Sequence, residues 1–214
     1  MEQDKIIINI GRRIGSGGKV IARLLAERFG CKFYDQELLN LAAKESGFCE
    51  EFFRQNDERK GFFRNLFHIH TPFVSDNSFY QNDFSQESLF KIQSDVIRKA
   101  ADEGPCVFVG RCADYVLRDN PNCFSVFVTA SMESRVAAVA SRRMCDEREA
   151  QKLIEHGERQ RAEYYNYYTG KRWGDSASYD LCISTDILGV EATAKVIEDV
   201  IRRRMRSEEC GVRS

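Results

Sequence analysis

The chain has 214 residues, in which 32 lysines and arginines meet 33 aspartates and glutamates for a formal net charge of -1. That balance argues against a dedicated nucleic-acid binder, which carries a basic excess, and 43% hydrophobic with 30% charged residues argues against a disordered chain. The apolar runs fall far short of the ~18 residues of a membrane span. Residues 1–5 form no signal-peptide core, and eight cysteines without Cys-x-x-Cys spacing read as reduced, mostly buried thiols of a cytoplasmic protein.

Residues 5–10 read as a buried strand with three isoleucines in a row. A glycine-rich turn follows over 11–18. Residues 20–29 then carry helical spacing at Ile21, Leu24 and Leu25, and Gly30 suits the left-handed position that ends a helix. A short strand is predicted over 31–34 and a helix over 36–44. The stretch 45–86 mixes phenylalanine with polar residues and shows no clean period, and 71–84 reads as a long loop. Ser85 begins a convincing helix over 85–101, with Leu89, Ile92, Val96, Ile97 and Ala100 on one face.

Further strands are predicted over 106–109, 123–128 and 179–183. Helices are predicted over 113–117, 131–141, 148–168 and 190–206. Five short apolar strands alternating with helices imply an α/β fold, a parallel sheet covered on both faces. Such sheets bind ligands at the carboxyl ends of their strands. The residues there are the glycine loop after the first strand, Asp35 after the second, and Gly110-Arg111 after the third.

The loop runs Gly11-Arg12-Arg13-Ile14-Gly15-Ser16-Gly17-Gly18-Lys19-Val20. It fails the dinucleotide pattern G-x-G-x-x-G, because Val20 occupies the third glycine position. It matches the phosphate-loop pattern GxxxxGK[ST] only in part: Arg13 replaces the first glycine and Val20 the hydroxyl residue. The physics still favours phosphate. Glycines let successive N–H groups converge on an anion, and the next helix aims its positive dipole end at the same point. Arg12, Arg13 and Lys19 add cationic side chains. Val20 cannot ligate Mg²⁺ as a serine or threonine would. Ser16 points elsewhere in the usual geometry, so a metal would rely on phosphate oxygens, water and a carboxylate such as Asp35.

Taken together, these segments resemble the cytidylate kinase-like proteins, relatives of bacterial CMP kinases among the P-loop nucleoside monophosphate kinases. The resemblance rests on Gly15-Ser16-Gly17-Gly18-Lys19 with Leu24-Leu25-Ala26-Glu27 behind it, and on Phe33-Tyr34-Asp35. It continues through Val109-Gly110-Arg111-Cys112-Ala113-Asp114-Tyr115, Tyr164-Tyr165, Tyr168-Thr169-Gly170, Trp173 and Tyr179-Asp180-Leu181-Cys182-Ile183. CMP kinases carry GxxGxGK followed by a small residue and threonine. On that pattern Arg12 takes the first glycine's place, Gly18 takes the lysine's, and Lys19 comes one residue late. The cytidylate kinase-like group commonly has a basic residue at this later place.

The resemblance implies a three-layer P-loop fold in one domain over 1–206, with a helical acceptor-binding insertion near 45–86, a lid near 142–172 and a frayed tail over 207–214. It implies ATP and Mg²⁺ as cofactors and CMP or a similar nucleotide as acceptor. Gly15, Ser16, Gly17, Gly18, Lys19 and Val20 would hold the ATP phosphates. Asp35, Arg111 and Asp114 would face the acceptor. Lys19 and the lid arginines Arg142 and Arg161 would neutralise the transferring group, with Arg143 and Arg159 as further candidates; Glu158, Arg161 and Tyr165 share one helical face. A non-catalytic nucleotide binder with a degenerate loop, or a kinase of another small acceptor, stays open. His68 and His70 are too few for a metal site. The run Tyr164-Tyr165-Asn166-Tyr167-Tyr168 is expected to pack the lid against the sheet, and Arg202-Arg203-Arg204 to be a solvated helix end. No partner beyond a small nucleotide is implied, and the oligomeric state cannot be read.

Overall fold

In the computed structural model, which describes residues 6–35 and 83–209, the isoleucine run becomes strand β1 (Ile7–Arg12) at the centre of a five-stranded sheet. Alternate side chains of a strand point to opposite faces. Ile6, Ile8 and Ile10 therefore enter one core with helices α1 (Gly18–Phe29) and α6 (Gly189–Glu209). Ile7 enters the other with α2 (Asp83–Glu103) and the short α3 (Ala113–Val116). Strands β2 (Lys32–Tyr34), β3 (Cys106–Val109), β4 (Cys123–Thr129) and β5 (Leu181–Ser184) complete the sheet in the order β2-β3-β1-β4-β5. Every pairing is parallel. Both faces are covered, which is why β3 is apolar throughout instead of alternating.

The chain leaves β1 for one edge of the sheet, then returns past β1 to build the other. The carboxyl end of β1 therefore sits where strand order reverses, the place such sheets offer to a ligand. Two further helices, α4 (Met132–Arg143) and α5 (Glu147–Thr169), pack on each other through Val136, Val139, Ala150 and Ile154, and Ile14 of the glycine loop joins that cluster. Ser131 caps α4 by accepting from the Ser134 N–H, and Asp146 caps α5 by accepting from the Glu149 N–H. Helix α1 ends at Gly30, whose φ of 63° and N–H bonds to Ala26 and Glu27 make a left-handed cap.

Expected and observed elements differ mainly at their ends. β1 continues to Arg12, two residues past the expected end, because its ladder with β4 runs on to Val128. The last strand starts at Leu181 and not at 179, since a 3₁₀ turn at Ser176–Ser178 occupies the approach. Helix α6 runs to Glu209, so residues 207–209 of the expected tail are helical. Six described cysteines are free. Cys106 and Cys112 are buried as expected, whereas Cys182 is exposed on edge strand β5. The helix expected over 36–44, residues 45–82 of the insertion and both His68 and His70 lie outside the described residues. No described helix is long and apolar enough to cross a membrane.

Candidate active site

The turn from β1 into α1 is built from the residues the sequence marks. Gly15 and Gly17 have φ of 85° and 77°, a region costly for any residue with a Cβ. At Gly15 a side chain would also strike the backbone of Arg135. Gly17 occupies the cap of α1 with no side-chain bond to the helix. Among the described residues, no acceptor takes the N–H groups of Gly15, Gly17, Gly18 or Lys19. These donors stand at the positive end of a helix of 12 residues, the arrangement that binds phosphate oxygens. The Ser16 hydroxyl is turned inward. It donates to the carbonyls of Arg13 at 2.9 Å and Val128 at 3.2 Å, so it braces the loop. Thr185 braces it from the other side by donating to the Ser16 carbonyl at 3.2 Å.

Lys19 and Val20 sit on the first turn of α1 and are exposed. Lys19 does not arch back over the loop. Its Nζ meets Asp35 Oδ2 at 2.7 Å, beyond the end of β2. Asp35 is buried. It is the acid paired with Lys19, and three or more metal-ligating side chains gather nowhere among the described residues. Magnesium usually takes one or two carboxylates and completes its shell with substrate phosphates and water. This donor set fits that habit: Asp35 would hold the ion, and phosphate oxygens would supply the rest.

Arg111 follows β3 in an unusual backbone. Gly110, Arg111 and Cys112 all have positive φ, at 76°, 59° and 57°. A non-glycine residue there costs about 1–2 kcal/mol, and strain of this kind collects at functional sites. It turns the Arg111 guanidinium over the Tyr164 ring of α5, 5.3 Å from the centroid. Tyr164 in turn donates to Gln93 of α2 at 3.3 Å, and burial pushes its hydroxyl up to about 12. Asp114 lies in the first turn of α3 and accepts from Tyr165 Oη at 2.6 Å. Burial raises the Asp114 carboxyl above its ordinary range, against the lowering effect of that hydrogen bond. Asp114 therefore orients a tyrosine of α5; it makes no bond to Arg111.

Arg161 lies on α5 and donates to the Arg12 carbonyl at 3.2 Å. Arg12, the last residue of β1, is half-buried beside the backbone of Gly110. Burial, and then the nearby charges of Arg161 and Arg111, push Arg12 down to about 9, while Asp35 acts in the opposite sense. Burial and the charges of Arg111 and Arg142 likewise bring Arg161 to about 10, with Glu158 opposing. Both stay charged at neutral pH. Arg142 is exposed in the last turn of α4, and Arg143 and Arg159 are exposed as well. The structure thus brings Arg12, Arg111 and Arg161 together at the carboxyl ends of β1 and β3, with Arg142 near enough for its charge to be felt.

Two residues that sequence reasoning missed hold this site in place. Glu158 accepts from Arg13 at 3.0 Å, from Arg135 at 2.6 Å and from the Ile14 N–H at 3.1 Å. Arg135 is buried on α4 and also donates to the carbonyls of Ala130 and Ile14. One carboxylate therefore ties the loop, α4 and α5 together. The shared face of Glu158, Arg161 and Tyr165 was a visible signal for it. Arg135 gave none, because its partner lies 23 positions away on another helix. Within the tyrosine run, Tyr168 stacks on Phe90 of α2 at 4.1 Å and Tyr164 bonds Gln93, so these two seat α5 on α2. Arg204 is engaged rather than simply solvated, donating to the carbonyls of Cys123 and Pro121.

Residues 7–187 match the model of the cytidylate kinase-like family. The chain belongs to this family. The chain is also similar to two proteins named cytidylate kinase. The one from Methanopyrus kandleri is 24% identical, over 95% of this chain and 97% of its own. The one from Pyrococcus horikoshii is 26% identical, over 94% and 91%. In three dimensions the family member superposes on an uncharacterized protein from Eubacterium ventriosum with a TM-score of 0.71 and 29% identity, covering 92% of this chain and 98% of that one. It also superposes on shikimate kinase from Bacteroides thetaiotaomicron with a TM-score of 0.50 and 12% identity, over 92% and 98%, a likeness of fold alone. The α/β core is thus that of the P-loop kinases, and the family is one of kinase-like phosphotransferases.

Proposed function

We propose that this protein is a nucleoside monophosphate kinase that transfers the γ-phosphoryl group of ATP to CMP or a similar nucleotide. The observation that carries the reading is the meeting of two anion-seeking features: the unbonded N–H groups at the start of α1 and the crowded cations Arg12, Arg111 and Arg161. In the reaction an acceptor phosphate oxygen bonds to the γ-phosphorus. The bond from that phosphorus to the β,γ-bridging oxygen breaks, and ADP leaves with the electron pair. The three peripheral oxygens keep their negative charge throughout, so catalysis is mainly positioning and neutralisation.

In this scheme residues 15–20 cradle the ATP phosphates with their backbone, and Lys19 and Asp35 work beside the magnesium ion, which screens phosphate charge. Arg111 grips the acceptor phosphate, and a guanidinium fork suits that geometry. Asp114 holds Tyr165 of α5, next to the Tyr164 ring on which Arg111 rests. Arg161, with Arg142 at the rim, neutralises the group in flight. A coupled assay for ADP release across nucleoside monophosphates tests the reading. Release that depends on an acceptor is expected, greatest with a pyrimidine monophosphate. No acceptor-dependent release at any Mg²⁺ concentration would overturn it.

A second reading has its own support. Gly18 stands in the lysine's place, Val20 offers no hydroxyl, and the Ser16 hydroxyl is spent on backbone carbonyls. These features favour a nucleotide-binding protein without turnover. Calorimetry would then detect ATP or CMP binding while the coupled assay stays silent.

A further inference from the structure

The loop departs from the phosphate-loop pattern at Arg12 and at Gly18, and in three dimensions the two departures are one. A Cβ built on Gly18 would lie 2.5 Å from Arg12 Cβ and 3.0 Å from its Cγ. The Arg12 stem therefore fills the volume that the stem of a lysine at 18 would need. Either residue can occupy that space, but not both. The exchange continues at the tip of the side chain. Gly110 also lacks a Cβ where the Arg12 guanidinium passes, and one built there would strike its Nη1. The guanidinium is thus led from the end of β1 to the end of β3, into the cleft shared with Arg111 and Arg161. Lys19, the lysine that the sequence displays, is turned the other way and paired with Asp35.

Resting on the kinase reading above, we propose that Arg12 is the phosphate-gripping cation of this loop, holding the β- and γ-phosphate oxygens in place of the lysine absent at 18. A strand residue then does what the first helix turn does elsewhere. Several features suit it to the task. It makes no salt bridge among the described residues. Its neighbours Arg161 and Arg111 raise the cost of leaving it without an anion, which burial increases further. Its planar fork can hold two oxygens of a polyphosphate at once. The bond that Arg161 makes to the Arg12 carbonyl would couple its position to that of α5.

The experiment compares wild type with Arg12→Met, Arg12→Gly, Gly18→Lys and the double variant Arg12→Gly/Gly18→Lys. Each is measured for melting temperature, acceptor-dependent ADP release, and affinity for ATP against AMP. Arg12→Met should keep its melting temperature, lose about 10²-fold or more in kcat, and lose most of its preference for ATP over AMP. Gly18→Lys alone should be inactive, since its stem meets Arg12. The double variant should regain a large part of the activity that Arg12→Gly loses. Arg12→Met with wild-type kcat and ATP preference would overturn the proposal. So would a folded double variant no better than Arg12→Gly, and that comparison carries the test if Arg12→Met fails to fold. A wild type without acceptor-dependent turnover would sink the kinase reading by itself. The ATP-over-AMP preference would still decide Arg12: its loss in Arg12→Met supports the proposal, and its survival overturns it.

Discussion

Two sets of arginines touch the glycine loop, and the fold handles them in opposite ways. Arg13 and Arg135 converge on Glu158, so each buried or half-buried cation has an acid within 3.0 Å. Arg12, Arg111 and Arg161 converge on one another, held by a backbone carbonyl, a tyrosine ring and the gap at Gly110. In the first set the charge is consumed at home, and what remains is a strut between the loop and α5. In the second no salt bridge forms among the described residues, which costs stability and creates affinity for an anion. Arginine content alone would not separate the two; the placement of one glutamate does.

The largest expected effect comes from the crowded set. Arg161→Met should lower acceptor-dependent turnover by ~10³–10⁵, about 4–7 kcal/mol in the barrier. Its melting temperature should hold or rise, because repulsion is relieved. A large fall in melting temperature with unchanged turnover would move Arg161 into the structural set. Glu158→Gln should show the reverse balance. It leaves Arg135 buried without its acid, and chemical denaturation should register a loss of about 3–5 kcal/mol. Adding Arg135→Met to it should cost less than the sum of the two single changes, since the orphaned charge is removed.

Arg13→Met should cost only about 1 kcal/mol, because its side chain is 35% exposed and part of its hold is the Trp173 ring at 4.9 Å. A loss equal to that of Glu158→Gln would show that Arg13, not Arg135, is the partner that matters. Asp114→Asn should have the smallest effect and a distinct pH signature. The folded carboxyl is raised above its ordinary 3.8, chiefly by burial, so the fold favours the protonated form. Its contribution is fully present below 3.8 and is lost as pH rises through the raised folded value. The stability of wild type relative to Asp114→Asn should therefore decline over that window. A difference that grows with pH would mean that the ionised form is the one favoured.

Much of this was legible in the chain. The isoleucine run, the glycine turn and the apolar 106–109 segment specify buried parallel strands, since only a strand covered on both faces can be apolar throughout. Gly15 and Gly17 marked a positive-φ turn, and Arg111 and Asp35 stood where strand ends put them. The destination of each side chain was less legible. Lys19 looks like the loop's phosphate lysine, yet α1 points it at Asp35. That outcome depends on helix phase: one residue of shift rotates a side chain by about 100° around the axis.

The sequence by itself determined the succession of strands and helices along the chain and the glycine turn, because periodicity and glycine placement are local properties of a chain. Tertiary structure alone decided which cations are neutralised. Glu158 lies 145 positions from Arg13 and 23 from Arg135, and Gly110 follows a different strand from the one that Arg12 ends. Charge pairing and steric exclusion act through space over a few ångströms, so only the packed fold could show that Arg12 occupies the space that Gly18 leaves open.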